Sequence, residues 1–212
     1  MPGVFITGTD TGVGKTIISA ALAFSLKKKS VNVGVMKPVA SGGIKKGGRF
    51  VSQDAVLLRK AASVDDLAGL INPVCFKNPL APYPASLIET RGLNLKKIFL
   101  SYRKLSIKHE FMVVEGIGGV LVPIKKNYFV IDLIKKMNLP VIVVCRTGLG
   151  TINHTLLTVN ILRANNIKIL CLVFNKMSSE KDLSEKTNAR IIENITGLKV
   201  IKFPFLHLKK IK

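Results

Sequence analysis

An apolar run, Val4-Phe5-Ile6, leads into Gly8-Thr9-Asp10-Thr11-Gly12-Val13-Gly14-Lys15-Thr16, and an apolar helical pattern through Ile17, Ile18, Ala21, Leu22 and Phe24 follows at once. A glycine-rich turn between a strand and a helix, ending in Lys-Thr, is the pattern of a phosphate-binding loop. Its glycines let backbone N–H groups approach phosphate oxygens, and the helix start adds the positive end of its dipole. Lys15 contributes a point charge, and the Thr16 hydroxyl can ligate magnesium. A loop of this kind ties its strand into a buried sheet with helices packed around it.

The rest of the chain agrees with that restriction. Short apolar runs alternate with helix-like stretches, which is the pattern of βα units and a mainly parallel sheet. Strands are expected near 3–7, 32–37, 111–115, 141–145, 168–174 and 199–202, and helices near 15–28, 54–62, 93–105, 129–138, 152–165 and 180–195. Ser41 to Gln53, with Gly42-Gly43 and Gly47-Gly48, reads as a flexible loop. Residues 72–86 carry Pro73, Pro79, Pro82 and Pro84 and read as an extended connection. The expectation is an α/β, single-domain P-loop NTPase fold over residues 1–212, its central sheet mainly parallel with helices on both faces.

Charge is the unusual feature. The 33 Lys and Arg against 12 Asp and Glu leave a formal net charge of +21, enough to attract nucleic acid or anionic lipid non-specifically. The cations are mostly lysines, spread in pairs and triplets such as Lys27-Lys28-Lys29, Lys96-Lys97, Lys135-Lys136 and Lys209-Lys210, as on a solvated surface. We therefore expect neither a specific nucleic acid nor a membrane as partner. No run approaches bilayer length, and Met1-Pro2-Gly3-Val4 leads straight into a strand without a signal-peptide pattern, so a cytoplasmic protein is expected. Cys75, Cys145 and Cys171 lack metal-ligand spacing and read as reduced, buried thiols.

Several further residues point to chemistry. The usual G-x-x-x-x-G-K-[ST] spacing would place its first glycine at Thr9, so the loop is a variant with Gly8 one residue early. Lys37 follows the second strand and would be an ordinary surface lysine but for its place beside the phosphate loop. Glu115 closes the apolar run Phe111-Met112-Val113-Val114, where a magnesium ligand of the Walker B type belongs. Asp54 reads either as a helix N-cap or as a further magnesium ligand, and both can hold at once. Magnesium prefers one or two carboxylates with phosphates and water, so Thr16, Asp54 and Glu115 form the candidate metal set.

The string G-T-D-T-G-V-G-K-T at Gly8 to Thr16 closely resembles the phosphate loop of the dethiobiotin synthetase family. Lys37-Pro38-Val39-Ala40-Ser41-Gly42 is similar to that family's K-P-V-x-S-G, and Glu115-Gly116-Ile117-Gly118-Gly119 to its E-G-A-G-G. Leu149-Gly150-Thr151-Ile152-Asn153-His154 resembles L-G-x-I-N-H, and Phe203-Pro204-Phe205-Leu206 resembles I-P-W-L. Partitioning and septum-positioning ATPases, which share the loop, carry a lysine where this chain has Asp10. Cobyrinate-type amide synthases also share it but normally add a glutamine-hydrolysing domain, for which this chain has no room.

The resemblance implies an ATP- and magnesium-dependent enzyme that joins 7,8-diaminononanoate and carbon dioxide into a cyclic urea. It implies catalysis by Lys15, Lys37 and Thr11, with substrate held by Thr11, Lys37 and Ser41. It assigns the nucleotide to Gly12, Val13, Gly14, Lys15, Thr16, Ile17, Asp54, Glu115, Gly118, Asn175, Lys176, Pro204 and Phe205, with Asn175 at the base. Phe174-Asn175-Lys176 also resembles the start of the guanine-reading N-K-x-D, but Ser178 replaces the carboxylate, which favours adenine. It implies a homodimer in which Gly150, Thr151, Ile152 and Asn153, at a helix start of the partner subunit, hold the substrate's carboxylate tail. His154 receives no catalytic role. The runner-up is a switch ATPase that docks on DNA or membrane.

Overall fold

The computed structural model describes residues 2–180 and 182–205. In chain order its first elements are β1 (Gly3–Gly8), α1 (Lys15–Lys28), β2 (Val33–Met36), β3 (Val39–Ala40), β4 (Ile44–Lys46) and β5 (Arg49–Val51). Next come α2 (Gln53–Ala62), α3 (Ala68–Ile71), β6 (Val74–Cys75), α4 (Pro82–Ile88), α5 (Leu95–Lys108), β7 (Phe111–Gly119), β8 (Pro123–Lys125) and β9 (Tyr128–Phe129). The last are α6 (Val130–Met137), β10 (Val141–Cys145), α7 (Thr151–Ala164), β11 (Ile169–Asn175), α8 (Glu185–Thr196) and β12 (Val200–Phe203).

Six strands form one sheet in the order β12-β11-β10-β1-β7-β2, and every pairing in it is parallel. Such a sheet is covered on both faces, which is why its strands read as continuous apolar runs rather than alternating ones. Successive residues of β1 serve opposite cores. Phe5 packs into the cluster that holds Ile98 of α5, Ile134 of α6, Val159 of α7 and Ile192 of α8. Val4 and Ile6 pack into the cluster with Ile18 of α1 and Leu58 of α2. The amphipathic α6 buries Val130, Ile131, Leu133, Ile134 and Met137. The Asp132 carboxylate accepts the Phe129 N–H at its start (2.7 Å), and Asn138 ends it at φ 50°.

All six expected strands and all six expected helices are present, with ends displaced by a few residues. Three expectations are corrected. The stretch 41–53 contains the β4–β5 hairpin, its turn made by Gly47-Gly48 at φ 54° and 75°, the left-handed backbone that two-residue hairpins require. The extended connection 72–86 contains α4; Pro82 and Pro84 fall in its first turn, where a missing N–H costs nothing. Glu115 does not end its strand, because β7 continues to Gly119. There the pairing with β1 shifts from Ile6↔Glu115 to Gly8↔Gly119, so β7 bulges directly after Glu115.

β1 lies between β7 and β10, so the loop that follows it opens at the carboxyl edge of the sheet, flanked by the ends of both neighbours. Open α/β sheets bind ligands along that edge. Among the described residues, no helix is long and apolar enough to cross a membrane. Cys75, Cys145 and Cys171 are buried and free, and burial pushes the Cys145 thiol up to about 12.

Candidate active site

The phosphate loop is shaped by close approach. Thr9 donates its N–H to the Val144 carbonyl at 3.0 Å, which ties the loop to β10. A Cβ at Gly8 would lie 2.7 Å from Val13 Cγ2, so glycine is needed one residue earlier than the usual spacing. Gly12 and Gly14 hold φ 72° and 90°, and Gly14 begins α1 with no side-chain cap. The N–H groups of the first turn of α1 therefore remain available to an anion. Lys15 folds back and donates to the Asp10 carbonyl at 2.8 Å. Burial, and next the nearby Lys37 charge, lower its ammonium to about 8.

Lys37 sits just past the end of β2, its backbone held by the Ile71 carbonyl (2.8 Å) and the Asn72 side-chain amide (2.7 Å). Its buried ammonium lies 2.5 Å from Glu115 Oε1, 2.9 Å from Asp54 Oδ2 and 3.0 Å from the Gly116 carbonyl in the β7 bulge. Thr16 donates to the same Glu115 oxygen at 2.8 Å. Burial alone would depress the Lys37 ammonium, but Glu115 and Asp54 outweigh it and hold it above the ordinary lysine range. Burial opposes ionisation of Asp54 as well, and Lys37 reverses that, so Asp54 titrates below the usual carboxylate range. Glu115 has no exposure, and burial keeps it above that range despite Lys37.

Ser52, not Asp54, caps α2: its Oγ accepts the Ala55 N–H at 3.3 Å. Asp54 is thereby left to Lys37.

A cleft of about 500 Å³ gathers most of the predicted residues: Thr11, Gly12, Gly14, Lys15, Thr16 and Ile17 from the loop and α1, with Lys37, Ser41, Asp54, Glu115 and Gly118 from the other strand ends. Val13 faces away and is fully buried. Sequence reasoning missed the apolar wall opposite the charges, formed by Ala40, Pro79, Leu80, Ala81, Ile117 and Val122. It also missed Arg146, whose guanidinium lies 3.3 Å from the Thr11 carbonyl and 3.5 Å from Asp10 Oδ2. Ala40 and Ile117 stand inside recognisable motifs, but no pattern marks Pro79, Leu80, Ala81, Val122 or Arg146, which only the fold brings to the site.

Except for Asn175, which touches the phosphate loop, the remaining predicted residues lie apart. Lys176 and Pro204 line a separate hollow of about 210 Å³ with Thr147, Phe174, Glu185, Lys202 and Phe203, and Lys176 pairs with Glu185 there. Phe205 follows this hollow in the chain, and Leu206 lies outside the described residues. Asn175 is 2 % exposed and donates to the Val13 carbonyl at 2.9 Å. Gly150, Thr151, Ile152 and Asn153 stand at the start of α7 and do not line the cleft of their own chain. Thr151 is buried there, its hydroxyl donated to the Arg146 carbonyl at 2.7 Å.

The donors around Glu115 fit magnesium. Thr16, Asp54 and Glu115 offer only oxygen, and Glu115 Oε2 is buried with no hydrogen-bond partner among the described residues. A buried carboxylate oxygen in that state calls for a cation.

The AAA domain family matches residues 2–206. The chain is 48% identical over 207 residues to the ATP-dependent dethiobiotin synthetase of Endomicrobium trichonymphae, covering 96% of this chain and 92% of that one. It is 45% identical to the Aquifex aeolicus enzyme of the same name, over 95% of this chain and 88% of the other. The chain belongs to the dethiobiotin synthetase family. Its fold is also similar to a ParA family ATPase from Chlorobium tepidum TLS, with a TM-score of 0.56 and 14% identity over 98% of this chain and 85% of that one. A chain of the MinC:MinD cell division protein complex of Aquifex aeolicus is comparable, with a TM-score of 0.55, 14% identity and 98% and 83% coverage. Those two likenesses concern the fold alone. Membership in the dethiobiotin synthetase family rests on relatives matched at 45–48% identity over nearly the whole chain.

Proposed function

We propose that the chain closes the cyclic urea of dethiobiotin from 7,8-diaminononanoate, carbon dioxide and ATP, releasing ADP and phosphate. The observation that carries this reading is one cleft in which a phosphate loop, two buried lysines and two carboxylates meet an apolar wall. The charged half suits a triphosphate and a carbamate, and the apolar half suits a hydrocarbon chain.

In the proposed sequence one amine adds to carbon dioxide as a carbamate, with loss of a proton. A carbamate oxygen then attacks the γ-phosphorus of ATP, and ADP leaves. The second amine attacks the carbon of the resulting mixed anhydride, so that a C–N bond forms, the C–O bond to phosphate breaks and the amine loses its proton. No covalent bond to the protein is needed. Lys15 and the first-turn amides of α1 hold the phosphates, and Lys37 offsets the charge on the carbamate and the transferring phosphoryl group. Thr11 and Ser41 stand on the cleft wall where the carbamate end would lie, and the buried Ser41 Oγ lacks a partner among the described residues. Thr16, Asp54 and Glu115 would hold magnesium, which neutralises phosphate charge when bound. A second copy of the chain would bring its Gly150–Asn153 segment to the substrate's carboxylate.

The test is ADP release by the purified protein with ATP, magnesium and bicarbonate, with and without the diamine, with the cyclic urea followed by mass spectrometry. ADP release that depends on the diamine and is matched by product supports the reading, and hydrolysis indifferent to the diamine refutes it. The +21 charge favours a switch ATPase as the second reading. That reading requires ATPase stimulated by DNA or anionic vesicles in a salt-sensitive manner.

A further inference from the structure

We propose that Asn78 and Glu89, neither of which lines the cleft, are positioning residues that set the shape of its apolar half. Residues 39–43 run beside residues 74–78 as a short parallel ladder in which Ala40 pairs with Cys75. The Phe76 N–H donates to the Ala40 carbonyl and the Gly43 N–H to the Phe76 carbonyl, both at 2.9 Å. The ladder ends at Asn78, whose carbonyl accepts the Gly42 N–H at 3.2 Å and the Leu80 N–H at 2.9 Å. One carbonyl therefore holds both the residue after Ser41 and the middle of the Pro79-Leu80-Ala81 wall. Asn78 is itself fixed from the other side. Its backbone N–H and its side-chain amide both donate to Glu89 Oε1, at 2.9 Å and 3.1 Å, and Glu89 is the residue that ends α4.

Packing does not hold this wall in place. Pro79 is exposed and Leu80 is 40 % exposed, so no core lies behind them. The segment is anchored only at its ends, by the buried Phe76 before it and by the buried Pro82 and Ala85 of α4 after it. Between those anchors the hydrogen bonds of Asn78 decide where the wall stands, and bonds to a carboxylate are stronger than bonds to a neutral acceptor. Gly42 fits the same arrangement. It holds φ 71°, and a Cβ there would lie 3.3 Å from Pro79 Cβ, so the loop that carries Ser41 and the wall approach closely. The phosphate loop hangs instead on β1 and α1, so the Asn78–Glu89 lock acts on the diamine and not on ATP. This inference rests on the reading of the apolar half as the place of the diamine's hydrocarbon chain.

Steady-state kinetics of ADP release, with the diamine and ATP varied separately, would compare the wild type with Glu89→Ala, Glu89→Gln and Asn78→Ala. Glu89→Ala removes both bonds to Asn78 and should raise the KM for the diamine about tenfold, a loss that hydrogen bonds to a charged acceptor allow. The KM for ATP should stay within about twofold, because an unaltered phosphate loop binds it. Glu89→Gln keeps an acceptor oxygen for both donors and should recover most of the diamine KM. Asn78→Ala keeps the backbone N–H and carbonyl but loses the side-chain bond, so its diamine KM should fall between those of wild type and Glu89→Ala. Circular dichroism confines the comparison to folded protein, and Asn78→Ala carries the test if Glu89→Ala does not fold. A diamine KM unchanged in the folded variants, or KM values for diamine and ATP that rise together, would overturn the inference. A wild type without diamine-dependent ADP release would instead overturn the reading on which the inference rests, which keeps the two failures distinct.

Discussion

Replacing Lys37 tests the site most severely, because the same ammonium serves chemistry and stability. Lys37→Gln removes the cation that lies 2.5 Å from Glu115, a side chain with no exposure to solvent. Taking one partner from a buried ion pair costs about 3–5 kcal/mol, and at about 2–4 °C per kcal/mol for a chain of this size the melting temperature should fall by about 6–20 °C. The loss should depend on pH. Glu115 already titrates high because of burial, and without Lys37 its carboxyl rises further. The native state of the variant then binds more protons than the unfolded chain, so stability is fully present below the unfolded carboxyl value of about 4.3 and is lost as pH rises through the folded one. Acidification from pH 8 to pH 5 should therefore narrow the gap to wild type in thermal unfolding. Glu115→Gln combined with Lys37→Gln should recover part of the loss at pH 8. In the diamine-dependent assay, losing one charge-stabilising donor should lower turnover by about 10²–10³-fold. ATP binding should stay within a few-fold, since the phosphate-loop amides are untouched. Unchanged turnover would refute the role of Lys37, and a stability gap independent of pH would refute the account of Glu115.

Other perturbations probe separate parts of the argument. Lys15 titrates at about 8 before ligand binds, so ATP binding above that pH should take up a proton and weaken by up to tenfold per pH unit. Calorimetry in buffers of different ionisation enthalpy would register the uptake, and an affinity flat from pH 7 to pH 9 would contradict it. Thr16→Val removes a candidate magnesium ligand together with the 2.8 Å bond to Glu115, so the magnesium concentration needed for half-maximal ADP release should rise. An unaltered magnesium titration would exclude Thr16 from the metal set. At the opposite edge of the sheet, buried Asp66 meets His109 Nε2 at 2.7 Å and Lys108 at 2.6 Å. Burial opposes its charge, but those partners hold it below the usual carboxylate range, so its contribution is present above about pH 4 and is lost as pH falls through the depressed value. Asp66→Asn should accordingly destabilise the protein at pH 7 and match wild type in strong acid, as followed by circular dichroism. A Cβ at Gly34 would lie 2.5 Å from the His109 ring and 2.6 Å from Met112 Sδ, so Gly34→Ala should cost about 1–3 kcal/mol in chemical denaturation.

Much of this protein is decided by short-range pattern. The apolar runs that became β1, β2, β7, β10 and β11 needed no partner to be recognised, because strands buried on both faces show it in composition alone, whereas the edge strand β12 is only half-buried. Gly8 to Thr16 carries its own geometry, and Lys37 and Glu115 could be placed because each adjoins a recognisable apolar run. What the sequence could not determine is everything that depends on which strand lies beside which. The order β10-β1-β7-β2 brings Lys37, Asp54 and Glu115 around a single ammonium, and a bulge seen only in the pairing of β7 with β1 puts the Gly116 carbonyl there too. The apolar wall at Pro79, Leu80 and Ala81 is brought to the cleft by the fold, and the Arg146 contact with Thr11 and the reach of Asn175 to Val13 join residues 135 and 162 positions apart. Local propensity and periodicity act over a few residues, whereas such contacts arise only when the whole sheet is assembled, so the loop and its lysine belong to the sequence and the site around them to the fold.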